Sequence, residues 1–250
     1  MIDVSVTRLH QPGVVVVDGV NWSVRPGDYW VVGGRHHSGK SDLMMTGAAL
    51  VPPHRGVCRV FGQVPDATPA LGQARRHLGF VFDGGQLLNH LTVKENIALP
   101  LCYHRDCPPE AVAGEVDALL ELTELQAVAD LRPAAVGRNW RQRAGLARAL
   151  AARPDVLLLD SPLSGLDPAD LEWWLDLLDA LSAGHAWMEH RPLTLVASAD
   201  HLRPWLGRAR QFALIKDGRW VAGADGARAA LEHDPLWREL TATGVRTTSP

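Results

Sequence analysis

Lysine is nearly missing from this chain of 250 residues: among 25 basic residues only Lys40, Lys94 and Lys216 are lysines. Each one is therefore informative about its position. Cysteine is as scarce, and the odd set Cys58, Cys102 and Cys107 argues against a disulfide framework. No stretch approaches the 18 apolar residues of a membrane span; VVVV at 14–17 and VLLL at 156–159 are strand-length. An excess of one charge is lacking too. A net charge of -3 gives no general attraction to nucleic acid or anionic membrane. The opening MIDVSVTRLH carries Asp3 and no apolar h-region, so a secretory leader is not expected. With 46% hydrophobic and 21% charged residues, the composition excludes collagen-like, mucin-like and wholly disordered classes. These features predict a cytoplasmic protein of one large or two small domains.

Hydrophobic periodicity predicts alternating strands and helices. IDVSVTR reads as an alternating strand, GVVVVDGV follows a Pro-Gly turn, and RPGD marks a turn before the buried strand DYWVVG. The loop GRHHSGKS and a helical stretch come next. The region from about 84 to 152 reads as mostly helical, with Val112, Val116, Leu119 and Leu120 on one apolar face. VLLLD at 156–160 and LTLVAS at 193–198 read as further buried strands. Between them Asp167 and Pro168 supply an N-cap and first turn, and Leu171, Trp174, Leu175, Leu178 and Leu181 form a core-facing stripe. FALIK, Asp217-Gly218 and RWVA read as a β-hairpin. Strands alternating with helices predict an α/β fold with a sheet parallel at its centre.

Gly34-Arg35-His36-His37-Ser38-Gly39-Lys40-Ser41 fits GxxxxGK[ST] in full. The order of strand, glycine-bounded loop and helix suits a phosphate. Glycines let backbone N–H groups close around phosphate oxygens, and the following helix directs its positive end at them. In this pattern Lys40 reaches the β- and γ-phosphates and the Ser41 hydroxyl ligates Mg²⁺. This composition yields about 0.002 chance matches to the pattern. His36 and His37 read as solvated loop residues rather than a metal pair. A second element for Mg²⁺ is Asp160, an acid emerging at the end of the buried strand VLLL. It is followed by Ser164-Gly165-Leu166-Asp167.

On these motifs the chain resembles the ATP-binding subunit of an ABC transporter over nearly its whole length. HLGFVFDGGQLLNHLTVKENIALPL resembles the stretch joining core and helical subdomain, and RQRAGLARALAARPDVLLLDSPLSGLD the run from signature helix through Walker B to D-loop. LTVKENIALPL is most similar to Mla-type lipid, lipoprotein-releasing and methionine transporters, with lipid transport the nearest reading. The resemblance implies a P-loop NTPase with a RecA-like core, an antiparallel β-subdomain and a helical subdomain. It implies a single domain over residues 1–242, with a helical insertion at about 84–152 and a tail at 243–250. It further implies ATP and Mg²⁺ as cofactors, membrane permease subunits and a second nucleotide-binding subunit as partners, and no nucleic acid. Such a subunit sits peripherally on the inner face of the cell membrane.

Aligned on the family, several functional positions differ. The glutamate that polarises the attacking water is Ser161, the switch histidine is Ala199, and the Q-loop glutamine is Asp83. The signature LSGGQ aligns with Val136-Gly137-Arg138-Asn139-Trp140, so the serine that meets the partner's γ-phosphate is glycine. The adenine-stacking aromatic is replaced by His10 or Gln11. Lys40, Ser41 and Asp160 remain, so the expectation is ATP binding without brisk hydrolysis. Asp83 is weighed as a substitute base or a Mg²⁺ contact, and Arg138 as a charge for the partner's γ-phosphate or a solvated group. The alternative function is a non-hydrolysing, ATP-sensing regulator. A DNA- or ribosome-directed ABC protein lacks support in length and charge, and a small P-loop kinase has no need of SPLSGLD. Cys102, His104 and Cys107 read as ordinary surface residues before a zinc site, and Trp173 as an interface candidate.

Overall fold

The computed structural model describes residues 1–8, 11–64 and 74–242. His10 and the tail at 243–250 lie outside the described residues. Nine strands form one sheet in the order β4-β1-β2-β9-β8-β3-β7-β6-β5. In chain order they are β1 (Ile2–Arg8), β2 (Gln11–Val20), β3 (Tyr29–Gly34), β4 (Arg55–Val57), β5 (Leu78–Val81), β6 (Val156–Leu159), β7 (Thr194–Ala199), β8 (Gln211–Lys216) and β9 (Arg219–Ala222). The run β8-β3-β7-β6-β5 is parallel throughout, while β1 pairs antiparallel with β2 and β4. The antiparallel unit is not a separate sheet. It joins the core where Asp18 of β2 pairs in parallel with Arg219 of β9.

Both faces of the parallel centre are covered, which is why its strands read as apolar runs rather than alternations. Tyr29, Val31, Leu157, Leu159, Leu195, Ala197, Phe212 and Leu214 face one core. Trp30, Val32, Leu158, Val196, Ala213 and Ile215 face the other, against Leu43 and Met44 of helix α1 (Lys40–Gly47). The strict alternation anticipated for IDVSVTR does not occur. Val4, Ser5 and Val6 are all buried, because register shifts break the β1–β2 ladder and Ser5 turns its hydroxyl onto Asp18. The hairpin is as read from the sequence: Asp217 and Gly218 take φ of 50° and 72° between β8 and β9.

The helical region comprises α2 (Val93–Arg105), α3 (Ala113–Leu122) and α4 (Arg138–Ala151). Thr92 and Glu95 form a reciprocal capping box at the start of α2. Fully buried Asn96 then ties α2 to the preceding loop, donating to the Leu88 and Thr92 carbonyls at 3.1 and 2.9 Å and accepting from Leu88 N–H at 2.8 Å. Helix α5 (Pro168–Ala183) begins as anticipated, with Asp167 accepting from Asp170 N–H at 2.9 Å. The last described helix is α6 (Pro235–Thr241).

Half-buried Trp173 has a partner within the chain. The Arg143 guanidinium lies 3.7 Å from its ring centroid and 5.0 Å from that of Trp140. The same guanidinium donates to Glu124 at 2.6 Å and Asp170 at 2.8 Å, with only 4% of the Arg143 side chain exposed. This arrangement pins α4 to α5. Replacing Arg143 by alanine leaves two carboxylates and an indole face unpartnered, so urea denaturation should show a loss of about 3 kcal/mol. A change below about 0.5 kcal/mol, the size of an ordinary surface substitution, would remove Arg143 from this structural role.

Candidate nucleotide site

The loop between β3 and α1 is shaped by local constraints. Gly39 has φ of 95°, and a Cβ there would meet Val17 and Val16 at 2.8 and 3.0 Å. A Cβ on Gly34 would fall 2.5 Å from Ser38 Oγ. Both glycines are thus required, one for conformation and crowding and the other for room. Ser38 Oγ is buried without a partner. That unsatisfied hydroxyl inside a glycine-bounded loop at a helix start fits a phosphate group.

Lys40 is 5% exposed, and its ammonium faces inward. It donates to the carbonyls of Gly34 and Arg35 at 2.9 and 2.8 Å and lies 2.7 Å from Asp200 Oδ1. Arg35 points away from the loop, making a two-pronged contact to Glu239 of α6 at 3.0 and 2.6 Å. His36 and His37 are exposed, as anticipated, and pack edge-on at 4.3 Å, with His36 Nδ1 3.3 Å from Asp200.

Asp160 follows directly on β6 and is 6% exposed. Its backbone N–H donates to Val81 O at 2.8 Å, and its carboxylate accepts from Ser198 Oγ at 2.8 Å. Burial raises the carboxyl above its ordinary range, hydrogen bonds from Ser41 and Ser198 pull the other way, and neighbouring Asp83 adds to the rise. Ser41 and Asp160 are the oxygen pair that a divalent cation would need, and the cation's charge would relieve the buried carboxylate.

Ser161 takes φ of 48°, and its N–H donates to Ser198 Oγ at 2.9 Å. Ala199, 6% exposed, ends β7 beside Gly33 of β3. Asp83 and Arg138 are joined to each other in an ion pair, each side chain nearly half exposed. In the isolated chain Arg138 thus faces the Asp83 carboxylate. Gly137 is the N-cap of α4, Val136 before it is buried, and Arg138, Asn139 and Trp140 form the first turn. Gln142 reaches from α4 to the carbonyls of Pro162 and Ser161 at 3.1 and 3.3 Å. Ser164 N–H donates to Ser161 O at 3.1 Å, Gly165 has φ of 72°, and Leu166 is half-buried before the Asp167 cap. Gln11 is exposed at the start of β2. Among the described residues no cluster of three His, Cys, Asp or Glu side chains suits a metal ion.

Two residues of the site, Ser198 and Asp200, escape sequence reasoning. Their only signal is position at the end of an apolar strand, the same signal that marked Asp160.

The architecture and this loop define a nucleotide-binding protein of the phosphate-loop class. The family model described as ABC transporter matches residues 17–164, and the chain belongs to that family. A methionine import ATP-binding protein of Paraburkholderia xenovorans is 40% identical over 221 residues, covering 88% of this chain and 53% of that protein. A sulfate/thiosulfate import ATP-binding protein of Nephroselmis olivacea is 40% identical over 206 residues, covering 81% and 56%. The chain spans about half the length of the curated relatives it matches. The dimeric structure of a bacterial ABC transporter cassette superposes with a TM-score of 0.76 at 25% identity, covering 88% of this chain and 94% of that one. Among the described residues no helix is long and apolar enough to cross a membrane.

Proposed function

We propose that the chain is the ATP-binding subunit of an ABC importer, binding Mg²⁺-ATP and coupling that event to membrane permease subunits while hydrolysing slowly. The observation that carries this reading is the phosphate loop with its buried Lys40, beside the buried Asp160 carboxylate that Ser198 holds. The loop amides and Lys40 hold the phosphates, and Ser41 and Asp160 hold the cation, with Ser198 orienting Asp160. When bound, Mg²⁺-ATP supplies the terminal phosphoryl group whose cleavage resets such a subunit.

Slow turnover follows from what stands around that set. Ser161 offers a hydroxyl, not a base at neutral pH, and Ala199 offers only a methyl group. Losing a positioned base typically costs about 10²–10⁴ in rate. The Arg138 ion pair on the Asp83 carboxylate argues against Asp83 as a substitute base. Accordingly, Asp83→Asn should leave the single-turnover cleavage rate within about twofold of the parent, far inside the loss expected for a base. A drop of tenfold or more would make Asp83 the base after all.

The names of the relatives, importers of methionine and of sulfate or thiosulfate, favour uptake of a small polar solute over lipid transport. Dimerisation with a second nucleotide-binding subunit fits the dimeric cassette structure. The test is to copurify the chain with membrane subunits and measure ATP binding and turnover on that sample. Binding without any membrane partner would instead favour the ATP-sensing regulator, the reading that Ser161 and Ala199 suit equally well.

A further inference from the structure

Asp200 occupies the place on Lys40 that a phosphate must take. The Lys40 ammonium donates to Gly34 O and Arg35 O, and Asp200 Oδ1 lies against it as an ion pair at 2.7 Å. The two carbonyls belong to the end of β3 and the start of the loop and are fixed by the backbone. Asp200 is the one acceptor that can rotate away, and its side chain is 26% exposed. Gly33 pairs with Ala199 across the β3–β7 ladder, so Asp200 emerges opposite Gly34, at the mouth of the loop. Burial acts to raise its carboxyl, but hydrogen bonds and charges from Lys40 and His36 more than offset this and hold it below the usual carboxylate range.

We infer that Asp200 is a specificity-determining residue that sets the site against the third phosphate, so that this chain binds ADP at least as tightly as ATP. The inference rests on the nucleotide-binding reading above. The loop amides hold the phosphate nearest them, and Lys40 bridges from there to the terminal group. ADP satisfies the loop and needs at most a shared position on Lys40. ATP must displace Asp200 and then place its terminal phosphate beside the released carboxylate, with Asp160 on the neighbouring strand end. Like charges brought together in this way discriminate through repulsion rather than through a missing contact. Ala199 supplies no positive group to offset them.

Calorimetric titration of the full chain with ATP and with ADP, both with Mg²⁺, tests this. The parent should bind ADP as tightly as ATP or tighter. Asp200→Asn keeps shape and removes charge, and should tighten ATP by about tenfold while changing ADP by less than about threefold. Asp200→Ala should shift the ratio in the same direction, and because the readout is a ratio, partial loss of folded protein does not alter it. Binding of both nucleotides with an unchanged ratio in both variants overturns this inference alone. Absence of binding by either nucleotide to any of the three proteins overturns the nucleotide-binding reading, and this inference with it.

Discussion

Lys40→Ala should weaken ATP binding by at least about tenfold, the largest affinity effect available from one side chain here, since a charge-assisted hydrogen bond to a phosphate contributes about 1.5–3 kcal/mol. The side chain is 5% exposed and already held in the loop by the Gly34 and Arg35 carbonyls, which lowers its own ordering cost on binding. Its removal also leaves Asp200 charged at the mouth of the site with only His36 beside it. Lys40→Arg should rescue little, because a planar guanidinium cannot follow a compact ammonium into a pocket framed by two backbone carbonyls. Isothermal titration decides the matter. Affinity within threefold of the parent would mean that the loop does not receive the phosphates through Lys40.

The second large effect is a gain. Ser161→Glu combined with Ala199→His should raise single-turnover ATP cleavage by about a hundredfold, the lower end of what a positioned base contributes. Left-handed backbone costs a non-glycine residue about 1–2 kcal/mol, but Ser161 already bears it at φ 48°, so glutamate adds no new backbone strain. Its N–H remains available to Ser198 Oγ, which keeps Asp160 in place. Full family-like turnover is not expected, because Gly137, Arg138 and Asn139 still stand where the partner's γ-phosphate would be met. Intact ATP binding with no gain in cleavage would show that the lost groups are not what limits this chain.

The order of the motifs along the chain was enough to read the class of fold and the phosphate loop. GxxxxGK[ST] after a buried strand, VLLLD before SPLSGLD, the Asp167 cap, the Thr92–Glu95 box and the Asp217-Gly218 hairpin all depend on neighbours within a few residues. Local hydrogen bonding and side-chain periodicity specify them, so they are visible in sequence. Reading IDVSVTR as a simple alternation failed because a register shift in β1 is set by its two partner strands, not by β1 itself.

What the residues at the site do was not visible in the same way. Sequence alone leaves Asp83 between substitute base and Mg²⁺ contact, and Arg138 between a charge for a partner and a solvated group; that the two pair with each other across 55 positions is visible only in the structure. Ser198 orients Asp160 from 38 residues away, and Asp200 reaches the loop at His36 across 164. Trp173 found its partner in Arg143 on another helix. By itself, then, the sequence determined that this is a phosphate-loop protein with an intact lysine, hydroxyl and carboxylate. Only the tertiary structure decided which charges those groups face. The reason is the strand order: β3 and β7 lie side by side although most of the chain runs between them, and that adjacency brings Asp200 onto Lys40.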